Sequence, residues 1–187
     1  MKEVTVKMIK AWKHFITITH HRLFVLKGCF AVGLIRQGLM HDLSKYSFTE
    51  FIVGAKYYQG DRSPNNAERE AIGYSSAWLH HKGRNKHHFE YWIDYSTRSA
   101  AMVPVPIPRR YVVEMFMDRI AASKIYKKEL YTDMDPYLYY QGGKDFIPIH
   151  DETRALLEEM LEMLSEKGEK ETFRYIKEHI LGGDKKK

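Results

Sequence analysis

Cysteine is nearly absent from this sequence of 187 residues, in which Cys29 is the single example. An intrachain disulfide is therefore excluded. Cys29 lies in an apolar segment, residues 28–32, where we interpret it as a small buried hydrophobic residue. One buried thiol suits a reducing compartment, so we expect a cytoplasmic protein.

Long hydrophobic runs are missing as well. The most apolar segment, residues 23–40, is interrupted by Lys27 and Arg36, which predicts a core helix and not a membrane span. Residues 1–7 carry charges without the apolar core of a leader peptide, so we expect no targeting segment. Six prolines and twelve glycines are too few for a long disordered linker, and the sequence predicts one folded domain.

The excess of positive charge is small. There are 30 basic and 24 acidic residues, a net charge of +6, and three of these charges are Lys185, Lys186 and Lys187 at the end of the chain. We expect this tail to be solvated. We therefore expect neither nucleic acid nor a membrane as a partner, whereas a small anionic substrate suits the balance.

Apolar residues recur at helical spacing through most of the chain, and no segment shows the alternation typical of a strand between hairpin turns. The sequence therefore predicts an all-α fold. Ser47 and Glu50 form a capping box, which predicts the start of a helix. The alternating prolines of residues 103–108 predict an extended segment. The predicted helices cover about residues 4–19, 23–37, 47–58, 67–81, 87–100, 109–130, 151–166 and 169–181.

Two expectations concern burial. Trp12, Trp78 and Trp92 lie at helical spacing from other apolar residues, so we expect all three to anchor the core. His14 lies in a mixed polar and apolar part of the first predicted helix, so we expect it at the surface.

The histidines are the most informative residues of the sequence. Seven of the ten histidines lie in four short clusters, namely His20–His21, His41, His80–His81 and His87–His88. Histidine is the commonest metal-ligand side chain, and this many unpaired histidines would be costly to bury. The pattern therefore predicts a metal site to which several segments contribute.

Carboxylates accompany these histidines at suitable spacing. Asp42 follows His41, and Lys45 comes four residues after His41, where a helix would place it on the same face. Glu114 and Asp118 are also four residues apart. On its own, the His41–Asp42 pair favours an ordinary helix start, where the helix dipole stabilises an aspartate. The clusters around it favour metal binding.

These residues resemble the HD superfamily of metal-dependent phosphohydrolases over about residues 19–126. The resemblance implies an HD-type helical bundle with a metal-site core of about residues 15–130, a C-terminal helical extension of about 131–183 and a basic tail of 184–187. It implies a first metal held by His21, His41, Asp42 and Asp118. His81 and one or both of His87 and His88 would hold a second metal or contact the substrate. The choice between His20 and His21, and between His80 and His81, stays open, although His21 and His81 fit the pattern better.

The resemblance further implies hydrolysis of a nucleotide or another small phosphoester by metal-activated water, with one or two Mn, Mg, Ni, Zn or Fe ions. Asp42, Lys45 and Glu114 would be catalytic, with Glu50 or Glu114 as proton acceptor. Lys45, Arg84 and Lys86 would bind the phosphate. The His-Asp-x-x-Lys form also resembles the branch that cleaves cyclic dinucleotides, but no Gly-Tyr-Pro signature follows His88.

Two other functions are compatible with the same residues. One is a di-iron oxygenase, because relatives with this frame and ligand set oxidise substrates. The other is a non-catalytic module that senses metal or nucleotide. The sequence also leaves open whether the C-terminal helices cover the site or form a homodimer contact.

Overall fold

A computed structural model describes residues 2–182 and, at the N-terminus, side chains from residue 4 onward. The described part is mostly helical, with one small antiparallel sheet, and confirms the predicted all-α fold. The predicted basic tail, 184–187, lies outside the described residues. None of the described helices is long and apolar enough to cross a membrane. The elements are α1 (Lys2–Ala31), α2 (Ile35–Met40), α3 (Phe48–Tyr57), α4 (Pro64–Ile72), α5 (Ser76–Lys82), β1 (Ile93–Ser96), β2 (Ala101–Pro104), α6 (Arg109–Lys127), α7 (Asp135–Gln141) and α8 (Asp151–Tyr175).

Helices α1 and α6 form the centre of the molecule. Helix α1 packs against α2, α3 and α6, and α6 packs against α8 on its other side. Cys29 is fully buried in this core, as predicted. Gly28 allows the close approach of α6, because a Cβ atom there would lie 2.7 Å from the Sδ atom of Met117. Burial of this apolar interface is the main favourable term that holds the two helices together.

Helix α1 is longer than predicted. The sequence suggested two helices, residues 4–19 and 23–37, but the helix continues through His20, His21 and Arg22 to Ala31. These three residues contain no helix breaker, so nothing interrupts the backbone hydrogen bonds. The chain turns only at Gly33, whose φ of 87° lies in the left-handed region that glycine tolerates.

The predicted helix over residues 87–100 is wrong. A short 3-10 turn, Phe89–Trp92, leads into strand β1, which pairs with β2 from Ile93↔Pro104 to Ser96↔Ala101. Four-residue strands are too short to show a clear period of two, which is why the pattern missed the hairpin. The extended conformation predicted from the prolines of residues 103–108 holds at β2, which includes the first of them, Pro104.

The two predicted C-terminal helices are nearly continuous. Residues 151–175 and a following π turn, Ile176–Ile180, form one rod with a break at Gly168, whose φ and ψ are 75° and 173°. This break coincides with the predicted boundary between residues 166 and 169. The capping box is confirmed in part, since Ser47 Oγ accepts a hydrogen bond from the Glu50 amide at 3.4 Å.

Burial departs from the sequence in two places on α1. Trp12 is 63% exposed and stacks on Phe15, so it does not anchor the core as predicted. His14 is only 6% exposed and packs beside Phe51 and Tyr58, so it is not at the surface. Trp78 and Trp92, by contrast, are partly buried. The difference arises because α3 covers the His14 side of α1 and leaves the Trp12 side open.

The buried His14 makes folding sensitive to pH. Burial, together with the nearby charge of Lys45, lowers the pKa of His14 to about 4 from its ordinary value of 6.5. Between these values the unfolded chain binds a proton that the folded chain does not, so stability falls as the pH decreases. We expect the His14 contribution to cost about 2 kcal/mol between pH 7 and pH 5.

Urea denaturation of the protein and of His14→Leu at both pH values measures this term. The variant should lose about 2 kcal/mol less stability on acidification than the wild type does. The histidines of other sites are common to both proteins and cancel in the difference. Equal losses in the two proteins would show that His14 is protonated in the folded state.

Candidate metal centre

The His41–Asp42 pair lies at a sharp turn. Helix α2 ends before His41, which is extended, and Asp42 has a φ of 53° in the left-handed region before a 3-10 turn, Leu43–Tyr46. Aspartate tolerates this conformation better than most residues, and strained backbone is common at functional sites. The expectation that His41 and Lys45 share a helical face is therefore wrong, because the turn and not a helix orients them.

Arg22 of α1 holds this turn in place. Its Nε atom donates to the His41 carbonyl oxygen at 2.7 Å, and its Nη2 atom donates to the Leu39 carbonyl oxygen at 3.0 Å. The side chains of His41 and Asp42 consequently point into the protein, where they are 1% and 0% exposed.

A first group of ligand atoms surrounds one oxygen of Asp42. Oδ2 lies 3.3 Å from His41 Nε2 and 3.7 Å from His21 Nε2. Asp118 of α6 completes the group, with Oδ1 at 2.8 Å from His21 Nε2 and 3.5 Å from His41 Nε2. The four side chains offer ligand atoms that all lie within 4.8 Å of one another. This spacing allows the group to hold a metal ion.

A second group surrounds the other oxygen of Asp42. Oδ1 lies 3.2 Å from His81 Nε2 and 3.4 Å from His87 Nε2. His88 is the third imidazole, and its ligand atom lies within 4.8 Å of those of the other three residues. Asp42 therefore belongs to both groups and presents one oxygen to each.

The polar atoms at the centre lack partners. The buried Nε2 atoms that have no hydrogen-bond partner belong to His21, His41, His81, His87 and His88. Asp42 Oδ1 shares this state, whereas Asp42 Oδ2 has the Lys45 ammonium 2.7 Å away. The 2.8 Å contact between His21 and Asp118 is short, yet it lacks the angles of a hydrogen bond. Buried polar atoms without partners are costly, and cations bound at the two groups would satisfy them. The donor set thus fits a metal.

Carboxylates orient the rings from behind. Glu114 Oε1 accepts a hydrogen bond from Nδ1 of His41 at 2.9 Å and lies 3.1 Å from Nδ1 of His87. Glu50 Oε2 accepts one from Nδ1 of His81 at 2.8 Å. A carboxylate at Nδ1 fixes the tautomer that leaves the Nε2 lone pair free for a metal.

The pKa values of titratable groups at the centre are strongly shifted. Burial alone would oppose ionisation of Asp42, but His41 and the Lys45 ammonium outweigh it and hold the pKa of the carboxyl well below its usual range. Burial and, to a smaller extent, the neighbouring His87 keep the pKa of His88 well below its usual value, so this ring stays neutral. The site therefore combines an ionised carboxylate with at least one imidazole that has a free lone pair.

Lys45 lies at the more open edge of the site. Its Nζ atom is 2.7 Å from Asp42 Oδ2, and 26% of its side chain is exposed. Burial opposes its charge, but Asp42 and Asp118 raise the pKa of Lys45, which keeps the ammonium protonated. Asp118, with 20% of its side chain exposed, lies at the same edge.

All seven predicted metal ligands converge: His21, His41, Asp42, His81, His87, His88 and Asp118. Within two of the histidine pairs, the structure brings only His21 and His81 into these groups. His20 is exposed, while His80 Nδ1 contacts Glu50 Oε1 at 2.6 Å and belongs to neither group around Asp42. His87 and His88 both contribute.

Three residues that were predicted to be catalytic or to bind phosphate lie away from the Nε2 atoms of the two groups. Glu114 contacts the Nδ1 atoms of His41 and His87, on the side of each ring that faces away from Asp42. Arg84 is exposed, and its guanidinium donates from Nη1 to the His80 carbonyl oxygen at 3.4 Å. Lys86 lies over the rings of Tyr91 and Tyr111 at the surface. Arg84 and Lys86 are close to the histidines in sequence, but neither side chain reaches the two groups of ligand atoms in the structure.

Other residues were missed as supports of the site. Asn85 Nδ2 donates to Ser44 Oγ at 2.9 Å and to the His81 carbonyl oxygen at 2.8 Å, next to the ring of His81. Glu50 looked like a helix cap or a proton acceptor, and its role behind His81 depends on the packing of α3 against α5. No local signal in the sequence indicates these contacts.

A cavity of about 540 Å³ lies beside the centre, between α1 and the end of α6. The residues that line it include Thr17, His20, Tyr58 and Lys124, but none of the seven ligands. This cavity is therefore a separate feature of the same helix pair.

Comparison with known protein families gives a match over most of the chain. The sequence profile of a family of unknown function, DUF5662, matches residues 10–163. This range includes every side chain of both ligand groups. No curated protein and no solved structure matches the chain.

Proposed function

The chain belongs to DUF5662, a family of unknown function, and we propose that it is a metal-dependent phosphohydrolase with a two-metal centre of the HD type. Its substrate is a small phosphate ester such as a nucleotide. The observation that carries the proposal is the Asp42 carboxylate, which presents one oxygen to each of two groups of imidazole Nε2 atoms that lack hydrogen-bond partners. A cationic side chain, Lys45, stands beside it.

The donor set favours transition metals. Five imidazole nitrogens and two carboxylates suit Zn, Ni, Fe or Mn better than Mg, which prefers oxygen ligands and bound waters. When bound, such cations polarise a phosphoryl group and lower the pKa of water.

Side chains of the protein would bind the phosphate, orient the ligand rings and exclude water. The Lys45 ammonium is charged and close enough to the centre to neutralise a phosphate oxygen. Glu114 and Glu50 hold the imidazole rings in one orientation, so the rings would not have to rotate when a metal binds. The burial of His41 and Asp42 excludes water from the rear of the site and strengthens every charge interaction there.

Metal analysis combined with a substrate panel tests the proposal. Protein loaded separately with Mn²⁺, Ni²⁺, Zn²⁺ or Fe²⁺ is analysed for ions per chain and assayed for phosphate release from nucleotides and simple phosphomonoesters. We expect two ions per chain and turnover that chelation abolishes and metal restores. Two ions without turnover of any ester, together with nucleotide binding, would point to a sensor module instead.

A di-iron oxygenase is the second candidate, because an imidazole-rich pair of sites joined by a carboxylate is equally suited to iron. Oxygen consumption by the iron-loaded protein, in the absence of phosphate release, would favour it. The charged Lys45 beside the centre is the reason for ranking hydrolysis first.

A further inference from the structure

One buried oxygen serves both metal groups. Glu114 Oε1 lies 2.9 Å from His41 Nδ1 and 3.1 Å from His87 Nδ1. His41 belongs to the group around Asp42 Oδ2, and His87 to the group around Asp42 Oδ1. The two rings are 4.4 Å apart between centroids, so a single carboxylate reaches both from behind.

We propose that Glu114 is a positioning residue that couples the two metal positions, because its one oxygen fixes a ligand ring of each. Since a carboxylate only accepts, both Nδ1 atoms carry a hydrogen, which leaves the two Nε2 atoms beside Asp42 as the positions at which a metal could bind. Glu114 is 5% exposed, so water cannot readily take over its role. The inference rests on the two-metal arrangement of the proposed function but not on its reaction.

Glu50 provides a matched comparison within the same protein. It is also 5% exposed, and it also accepts from an imidazole ligand, His81, at 2.8 Å. Its other histidine partner, His80, is not a member of either metal group. The geometry therefore predicts that loss of Glu50 affects one position and loss of Glu114 affects two.

Titration with Co²⁺ separates these cases, because the visible absorption of bound Co²⁺ reports the ligand environment of each ion. We expect Glu114→Leu to weaken both binding steps by about 10- to 100-fold, as is typical for loss of a carboxylate behind a ligand histidine. Glu50→Leu should weaken one step by a similar factor and leave the other unchanged. Glu114→Gln, which retains an acceptor oxygen, should weaken both steps less than leucine does.

The ring tautomers give a readout that a purely structural role would not move. Nitrogen NMR of the metal-free protein should show hydrogen on Nδ1 of His41 and His87. In Glu114→Leu both rings should populate the Nε2–H form while His81 stays unchanged, and Glu50→Leu should give the reverse.

The proposal is overturned if Glu114→Leu weakens one Co²⁺ step or none, or if the tautomers of His41 and His87 do not change. Should the leucine variant fail to fold, Glu114→Gln decides by the same criterion, since weakening at a single step contradicts coupling. A wild type that binds fewer than two Co²⁺ ions would reject the two-metal function. The tautomers would still decide the role of Glu114.

Discussion

Replacing Asp42 with asparagine will remove bound metal from both positions of the site. Each oxygen of this carboxylate faces a different group of imidazoles, at 3.3 Å from His41 Nε2 and 3.2 Å from His81 Nε2. The amide keeps the shape but loses the charge that balances two cations, and one of its ends becomes a donor. Elemental analysis should find close to no metal after dialysis, against two ions per chain in the wild type.

Thermal unfolding gives an independent measure of the same effect. A ligand that binds only the folded state raises the unfolding temperature, so added Zn²⁺ should stabilise the wild type and leave Asp42→Asn unchanged. Asp61→Asn is the matched control, because Asp61 is an exposed aspartate outside both ligand groups. Full metal content in Asp42→Asn would contradict the central place assigned to this carboxylate.

Replacing Lys45 with methionine should leave metal bound and lower the rate of phosphoester hydrolysis by about 10²-fold, the usual cost of losing one group that stabilises developing charge. Methionine retains much of the apolar stem but not the ammonium, which lies 2.7 Å from Asp42 Oδ2. Because this ammonium is a cation next to a metal ligand, its removal should raise metal affinity or leave it unaltered.

Steady-state kinetics and metal analysis of the same preparation check this prediction. Lys45→Arg serves as control, since it keeps the charge in a different shape and should recover part of the rate. Loss of metal in Lys45→Met would mean that the lysine supports the ligands and does not contact substrate. An unchanged rate with metal present would remove Lys45 from the reaction.

Several features of the fold followed from local pattern. The capping box at Ser47 and Glu50 marked the start of α3, and Gly168 lay at the predicted boundary within the C-terminal rod. Both are local effects, because cap hydrogen bonds and a left-handed glycine depend on residues close in sequence. The hairpin of β1 and β2 was missed because it depends on pairing across a turn and has strands of only four residues.

The sequence by itself determined which residue types form the centre, since seven side chains named from histidine clusters and isolated aspartates do converge. Only the tertiary structure decided which member of the His20–His21 and His80–His81 pairs lies in the groups. His20 and His21 differ by about 100° around α1, and the packing of α6 turns one inward and leaves the other exposed. The same packing places Glu114 and Glu50 behind the imidazole rings and leaves Arg84 and Lys86 outside the site. Local spacing in the sequence could not predict these positions, because contacts between distant segments leave no pattern in it.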